Sequence, residues 1–318
     1  MKKITKEKKK RRYRAAVLLI ILVIIVFVVI VMAVNSRKPD RITLATSKGD
    51  IKGTAFIKTN QILIEQMYKN WLPNDIFWPT ILLDNMPNFQ IGELEVIRYN
   101  VRVLRDNLCR MRTTDKLDSS AEGAFNSLSN DSYKWWLPSA EKKWKQAHKN
   151  LETFYQNMRA GRSSFYPRAD NLVELLTQYA SLMGGVNTRL IQAPHDVKEV
   201  LALDQESKGD PKKSKMVEVN IPWSSIDDNF YYAQGVAYAL YESLKAIRID
   251  FVDVLIDKNS LNLADKVLEQ LSRCYFEPLI VFNGSPESIF ANHSLNLSGI
   301  FNDARQKINS LTIALMQG

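Results

Sequence analysis

The sequence predicts an all-α protein, one transmembrane helix followed by a bundle of about six to eight long helices, and three observations lead there. Twenty consecutive residues, Ala15 to Val34, include no polar side chain. Beyond them, apolar residues recur at alternating steps of three and four in six separate segments. Strand-like alternation is limited to short stretches near Ile42–Leu44 and Met216–Ile221, enough for a minor β element.

The apolar run comes first. At about 1.5 Å per residue, twenty residues make a helix about 30 Å long, the thickness of a bilayer's hydrocarbon core. Its core is rich in β-branched residues, but in lipid every backbone group must bond internally, which enforces helix. The run exceeds the roughly 7 to 15 apolar residues of a cleaved signal peptide and lacks a good small-x-small site, so an uncleaved anchor over 15–34 is expected. Nine Lys or Arg stand against one Glu in the first fourteen residues. That tail, 1–14, belongs in the cytoplasm by the positive-inside rule, which puts residues beyond about 40 on the other side. The whole chain carries +9. The tail accounts for +8 of it, so the remainder is close to neutral and the basic pI is no argument for nucleic acid as a partner.

A linker over 35–53 follows, punctuated by Gly49 and Gly53, and then a helical domain over 54–318. The first helix is expected at about Thr54 to Trp71. Pro73, Pro79 and Pro87 make PNDIFWPTILLDNMPNFQ an ordered extended connection. Stripes then mark helices in order. They are Leu94, Ile97, Val101, Leu104, Leu108, Met111; Ala140, Trp144, Ala147, Leu151, Phe154, Met158; and Leu172, Leu176, Tyr179, Met183, Val186, Leu190. After these come Phe230, Ala233, Ala237, Leu240, Leu244, Ile247, Phe251, Val254; then Leu261, Ala264, Leu268, Leu271, Tyr275; and finally Leu297 to Leu315. Spacing near 3.5 favours long helices crossing at shallow angles. The polar insert 204–215 divides the domain into an earlier and a later half.

Chemistry is sparse. His148, His195 and His293 are scattered, and HExxH, CxxC, GxSxG and phosphate-loop motifs are missing, so no metal or cofactor is expected. Asp227 and Asp228 open a helix, where carboxylates satisfy free amides and the macrodipole. Arg98, Arg102, Arg105 and Arg112 form a row beside an apolar stripe, suited either to an anionic ligand or to internal carboxylates. Cys109 and Cys274 permit one disulfide outside the cytoplasm, with two buried free thiols as the alternative. The aromatics between helices, among them Trp71, Trp78, Trp135, Trp136 and Trp223, are expected to seal bundle ends; an exposed cluster would point to a partner.

LDNMPNFQIG from Leu83, FYPRADNL from Phe165, PWSSIDDNFYYAQG from Pro222, and FNG with FANHSL from Phe282 together resemble a bacterial family of single-span inner-membrane proteins, the domain of unknown function 2333 family. The sequence departs from it at Pro167, near Gly184 and Gly185, and at SPESI, where the family pattern is Gly-rich. The resemblance implies a Gram-negative inner membrane and a periplasmic domain, and it carries no activity.

Two kinds of function follow as expectations. The first is a non-enzymatic structural or assembly component of an envelope complex with protein partners, its oligomeric state unspecified. Binding candidates are Asn85, Asn88, Arg98, Arg102, Arg105, Arg112, Arg168, Asn171 and Asn292. The second is an envelope enzyme acting on cell wall or lipid, which would have to gather Asp84, Asp170, Asp227, Asp228 and His293 in one cleft. A ligand-sensing bundle is a third.

Overall fold

Helix α1 (Lys2–Asn35) is continuous through the basic tail and the apolar run, and Arg11–Asn35 is long and apolar enough to cross a membrane. The computed structural model describes residues 2–44, 50–76, 78–112, 114–192, 197–200, 215–218, 226–276, 278, 281 and 292–317, with backbone alone for 2–10, 192, 226 and two short strands. Beyond α1 lie α2 (Thr54–Lys69), α3 (Asn85–Val103), α4 (Ser119–Leu128), α5 (Ala140–Arg159) and α6 (Ala169–Gln192). Strands β1 (Val197–Val200) and β2 (Lys215–Glu218) pair antiparallel, Val197 opposite Glu218. Then come α7 (Ile226–Asp250), α8 (Val252–Asp257), α9 (Leu261–Arg273) and α10 (His293–Gln317).

The helices begin where side chains can take up free amides. Asp84 accepts from the Asn85 amide, Asp118 from those of Ser120 and Ala121, and Ser139 from that of Lys142. Helix α2 is capped from another element. The Asp250 carboxylate, at the end of α7, accepts from the Phe56 amide at 2.7 Å.

At the centre, α3 and α7 lie side by side and parallel. Partners across them are 140 residues apart at Asn88 and Asp228 and 143 apart at Asn100 and Ser243, a nearly constant separation that only parallel helices give. Two glycines set the spacing. A Cβ on Gly92 would stand 2.1 Å from the Tyr232 carbonyl oxygen, and one on Gly235 would stand 1.9 Å from that of Phe89. Backbone therefore meets backbone, close enough for Cα–H to oxygen contacts.

Midway along the pair a buried polar layer ties four helices together. The Asn100 amide donates to Asn60 of α2 at 2.9 Å and to Ser243 of α7 at 2.8 Å, and its oxygen accepts from the Tyr179 hydroxyl of α6. Each hydrogen-bonding atom of the Asn100 side chain is thus used, the condition under which burying an amide is tolerated. Helix α2 runs antiparallel to this pair, α5 antiparallel to α2, and α6 antiparallel to both α3 and α10. One continuous apolar cluster takes in side chains from α2 to α10.

The stripes over 140–158, 172–190 and 230–251 are buried as expected. Four details differ from expectation. Met111 is exposed, because α3 passes into a π-helical turn (Leu104–Leu108) and ends there. Pro87 lies inside α3, in the first turn, where its missing N–H has no helical partner to lose. Helix α4, short and poor in large apolar residues, left no stripe to read. The stretch Ile42–Leu44 forms no strand, and insert 204–215 falls, except for Lys215, outside the described residues.

The glycine contact gives a direct test. Gly235→Ala drives a methyl into a backbone oxygen that cannot yield, and is expected to cost about 3 kcal/mol or more. Gly299, with nothing within 4 Å of its missing Cβ, serves as the control: Gly299→Ala is expected to stabilise by about 0.5 to 1 kcal/mol. Thermal unfolding followed by circular dichroism distinguishes the two.

Candidate functional site

The parallel pairing brings both helix N-termini, and both positive dipole ends, to one end of the bundle. Three carboxylates meet there. Asp84 caps α3, Asp227 and Asp228 occupy the first turn of α7, and their oxygens lie within 4.8 Å of one another. Asn88 bridges the helices, donating to Asp228 at 2.7 Å and to the Asp84 carbonyl at 3.0 Å. Burial, then the neighbouring charges of Asp227 and Asp84, pushes Asp228 up to about 6. Asp227 is raised in the same way, burial first and Asp84 second. The trio suits a divalent cation by its donor set, and it equally neutralises two aligned dipoles. Asn85, at the head of α3, is half-buried beside it.

Along the α7 and α9 side runs the segment that joins α1 to the bundle. The Tyr275 hydroxyl donates to the Pro39 carbonyl at 2.9 Å, the Tyr238 hydroxyl to Asp40 at 2.8 Å, and the Lys245 ammonium to Ile42 at 2.6 Å. The Arg41 guanidinium lies 4.1 Å from the Tyr241 ring centre and 4.4 Å from that of Tyr275, over the buried Glu242, whose other oxygen is 2.6 Å from Lys245. Ile42 is buried. Nothing in the sequence signalled this strap, because its donors lie 198 to 236 residues away and its acceptors are backbone.

The remaining candidate residues separate. Arg168 pairs with Asp170 and donates to the Met111 carbonyl at 2.8 Å, while Asn171 donates to Tyr166. That group sits where α3 ends, roughly 35 Å from the acidic trio at about 1.5 Å per residue. His293 opens α10 at the trio's end, with the Asn292 side chain accepting from Leu295 as a cap. Asp170 is thus far from Asp84, Asp227, Asp228 and His293.

The arginine row divides, with Arg98 and Arg105 half-buried and Arg102 and Arg112 exposed. Arg98 donates to the carbonyls of Leu128 and Asn130, closing the end of α4, and to Glu95. Arg102 lies over Tyr99 and Phe125, and Arg105 grips Asp106 while stacking 3.8 Å above Phe125. Arg112, exposed, donates only its backbone amide to Asp115 among the interactions described. Cys109 and Cys274 are unbonded in this structure, Cys109 half-buried and Cys274 buried. Cys109 ends α3 at one end of the bundle, whereas Cys274 sits beside Gln234 near the other, far beyond the roughly 7 Å between Cα atoms that a bridge allows. Burial pushes the thiols up to about 11 and about 12.

Among the described residues, one N-terminal helix long and apolar enough to cross a membrane is joined by a docked strap to a helical bundle, which defines the class as a helical protein with a candidate membrane span. The family model described as an uncharacterized protein conserved in bacteria, domain of unknown function 2333, matches residues 6–318, and the chain belongs to that family. No curated protein and no solved structure matches.

Because the folded pKa of Asp228 lies above its unfolded value near 3.9, the folded state holds the extra proton, and stability falls as pH rises from about 4 to about 6. Asp228→Asn is expected to raise stability above pH 6 by on the order of 1 kcal/mol after solvent screening, and to have no effect below pH 4. Urea denaturation at pH 4 and pH 7.5 checks both limits. Burial likewise raises Glu93, enclosed in α3, to about 8. Glu93→Gln is expected to be more stable than the parent at pH 8.5, with the gain gone at pH 4.

Proposed function

We propose that the protein is a single-span inner-membrane component whose periplasmic bundle organises or assembles a cell-envelope complex. The observation that supports this reading best is the strap. Three donors, two on α7 and Tyr275 just beyond α9, hold the carbonyls of Pro39, Asp40 and Ile42, so the domain is clamped to its anchor instead of hanging from a loose tether. A component that sets the position of partners over a membrane needs that fixed geometry. The same reading accounts for where the polar side chains go: Asn100, Arg98, Arg105 and Gln90 are engaged in holding helices and turns together.

A divalent-cation site at Asp84, Asp227 and Asp228 is the second reading, favoured by the convergence of three carboxylates. It leaves room for an envelope enzyme or a ligand-sensing bundle.

Two measurements test the first reading. A C-terminal alkaline phosphatase fusion is expected to be active and a green fluorescent protein fusion dark, the signature of a periplasmic C-terminus. Gentle crosslinking in cells followed by capture from detergent is expected to recover partners in fixed proportion to the protein. Tyr238→Phe with Tyr275→Phe is expected to reduce that recovery several-fold. Recovery of the protein alone, repeated across crosslinkers, defeats the proposal.

A further inference from the structure

Large apolar side chains cluster at the end of the bundle from which α1 emerges. The connection after α2 exposes Ile76, Trp78, Ile81 and Leu82, with Trp78 59 % exposed. The loop between α4 and α5 exposes Tyr133, Trp135, Trp136 and Leu137, the two tryptophans 53 % and 64 % exposed. Polar contacts hold these loops side by side: the Trp71 indole donates to the Ser132 carbonyl at 2.9 Å, and Asn74 to that of Lys134 at 3.2 Å. The two groups therefore form one patch, of a kind that soluble surfaces seldom leave uncovered.

Its height relative to the anchor can be read from α1. The 3₁₀ turn Thr80–Leu82 contacts α1. Among the described side chains of α1, those that lose exposure are Val28, Val31, Met32 and Asn35, one stripe along the last two turns. Ile81 and Leu82 thus stand beside the final turns of the apolar run, level with the boundary between hydrocarbon and headgroups if α1 spans. Tryptophan and tyrosine concentrate at that depth in membrane proteins, with the ring in the interface and the N–H or O–H toward water. Behind Leu137, the first turns of α5 present the exposed Lys142, Lys145 and Lys149, cations placed to meet phosphate.

We infer that this patch is a second membrane contact: Trp78, Ile81, Leu82, Trp135, Trp136 and Leu137 enter the lipid leaflet next to the end of α1. The inference rests on α1 being the anchor. With α1 inserted and the patch in the leaflet beside it, the bundle meets the bilayer at two places and cannot swivel about its anchor.

The test uses the full chain in vesicles of phosphatidylcholine and phosphatidylglycerol. Flotation that survives alkaline carbonate first shows that α1 is inserted; its failure overturns the anchor reading and is seen before any optical measurement. Tryptophan emission is then compared in plain and brominated lipid for the parent and for a variant combining Trp78→Phe, Trp135→Phe and Trp136→Phe. Trp71 and Trp144, both buried, and Trp223 remain in each, so their emission is common to the two, and matching circular dichroism establishes that the variant is folded. Bromine is expected to quench the parent at least twofold more than the variant, and aqueous iodide to leave the three indoles largely unquenched. Equal bromine quenching of the two overturns the inference, as does free access of iodide. Shielding from iodide in native membranes but not in the lipid vesicles overturns it in favour of a protein partner.

Discussion

The close approach of α3 and α7 at Gly92 and Gly235 is the constraint on which the rest depends. Two parallel helices a backbone's width apart leave no room for side chains at the crossing, so specificity must come from the flanks. Phe89 and Tyr238 pack on one side of it. The amide of Asn100 ends the close contact with a polar layer that α2 and α6 also share. Because α2, α6, α9 and α10 are all arranged around this pair, an error in its register would misplace every other element.

The pairing has an electrostatic consequence. Antiparallel helices cancel their dipoles, whereas parallel ones add them, and the added field is met by carboxylates gathered at one end. That explains why three acids tolerate a shared, partly buried site that raises two of them. The opposite end shows the complementary arrangement, with Arg168 and Arg110 donating to carbonyls near the terminus of α3.

Much of the fold was legible because burial follows the helical period: the stripes from Ala140 to Phe251 name the core almost residue by residue. The candidate span was legible for a similar reason, since twenty apolar residues in a row have few soluble uses. What escaped depended on partners distant in sequence. No local pattern distinguishes Gly235, which touches a backbone 146 residues away, from Gly299, which touches nothing. Asp227 and Asp228 could be read as a helix start, but their meeting with Asp84 required knowing that α3 and α7 run parallel. Aromatic residues expected to seal the bundle proved divided, with Trp71 inside and Trp78, Trp135 and Trp136 outside, because the period that sorts residues along a helix says nothing about loops.

The strap holds the chain by its carbonyl oxygens at 39, 40 and 42, atoms that every amino acid supplies. Side chains at Pro39 and Asp40 are therefore free to vary without loosening the grip, so long as the extended path is kept. The demanding half of the contact lies instead on Tyr238, Lys245 and Tyr275. A family built this way can drift at positions 39 and 40, while Arg41, stacked on Tyr241 and Tyr275, and the buried Ile42 are held together with the phenols and the amine that receive the strap.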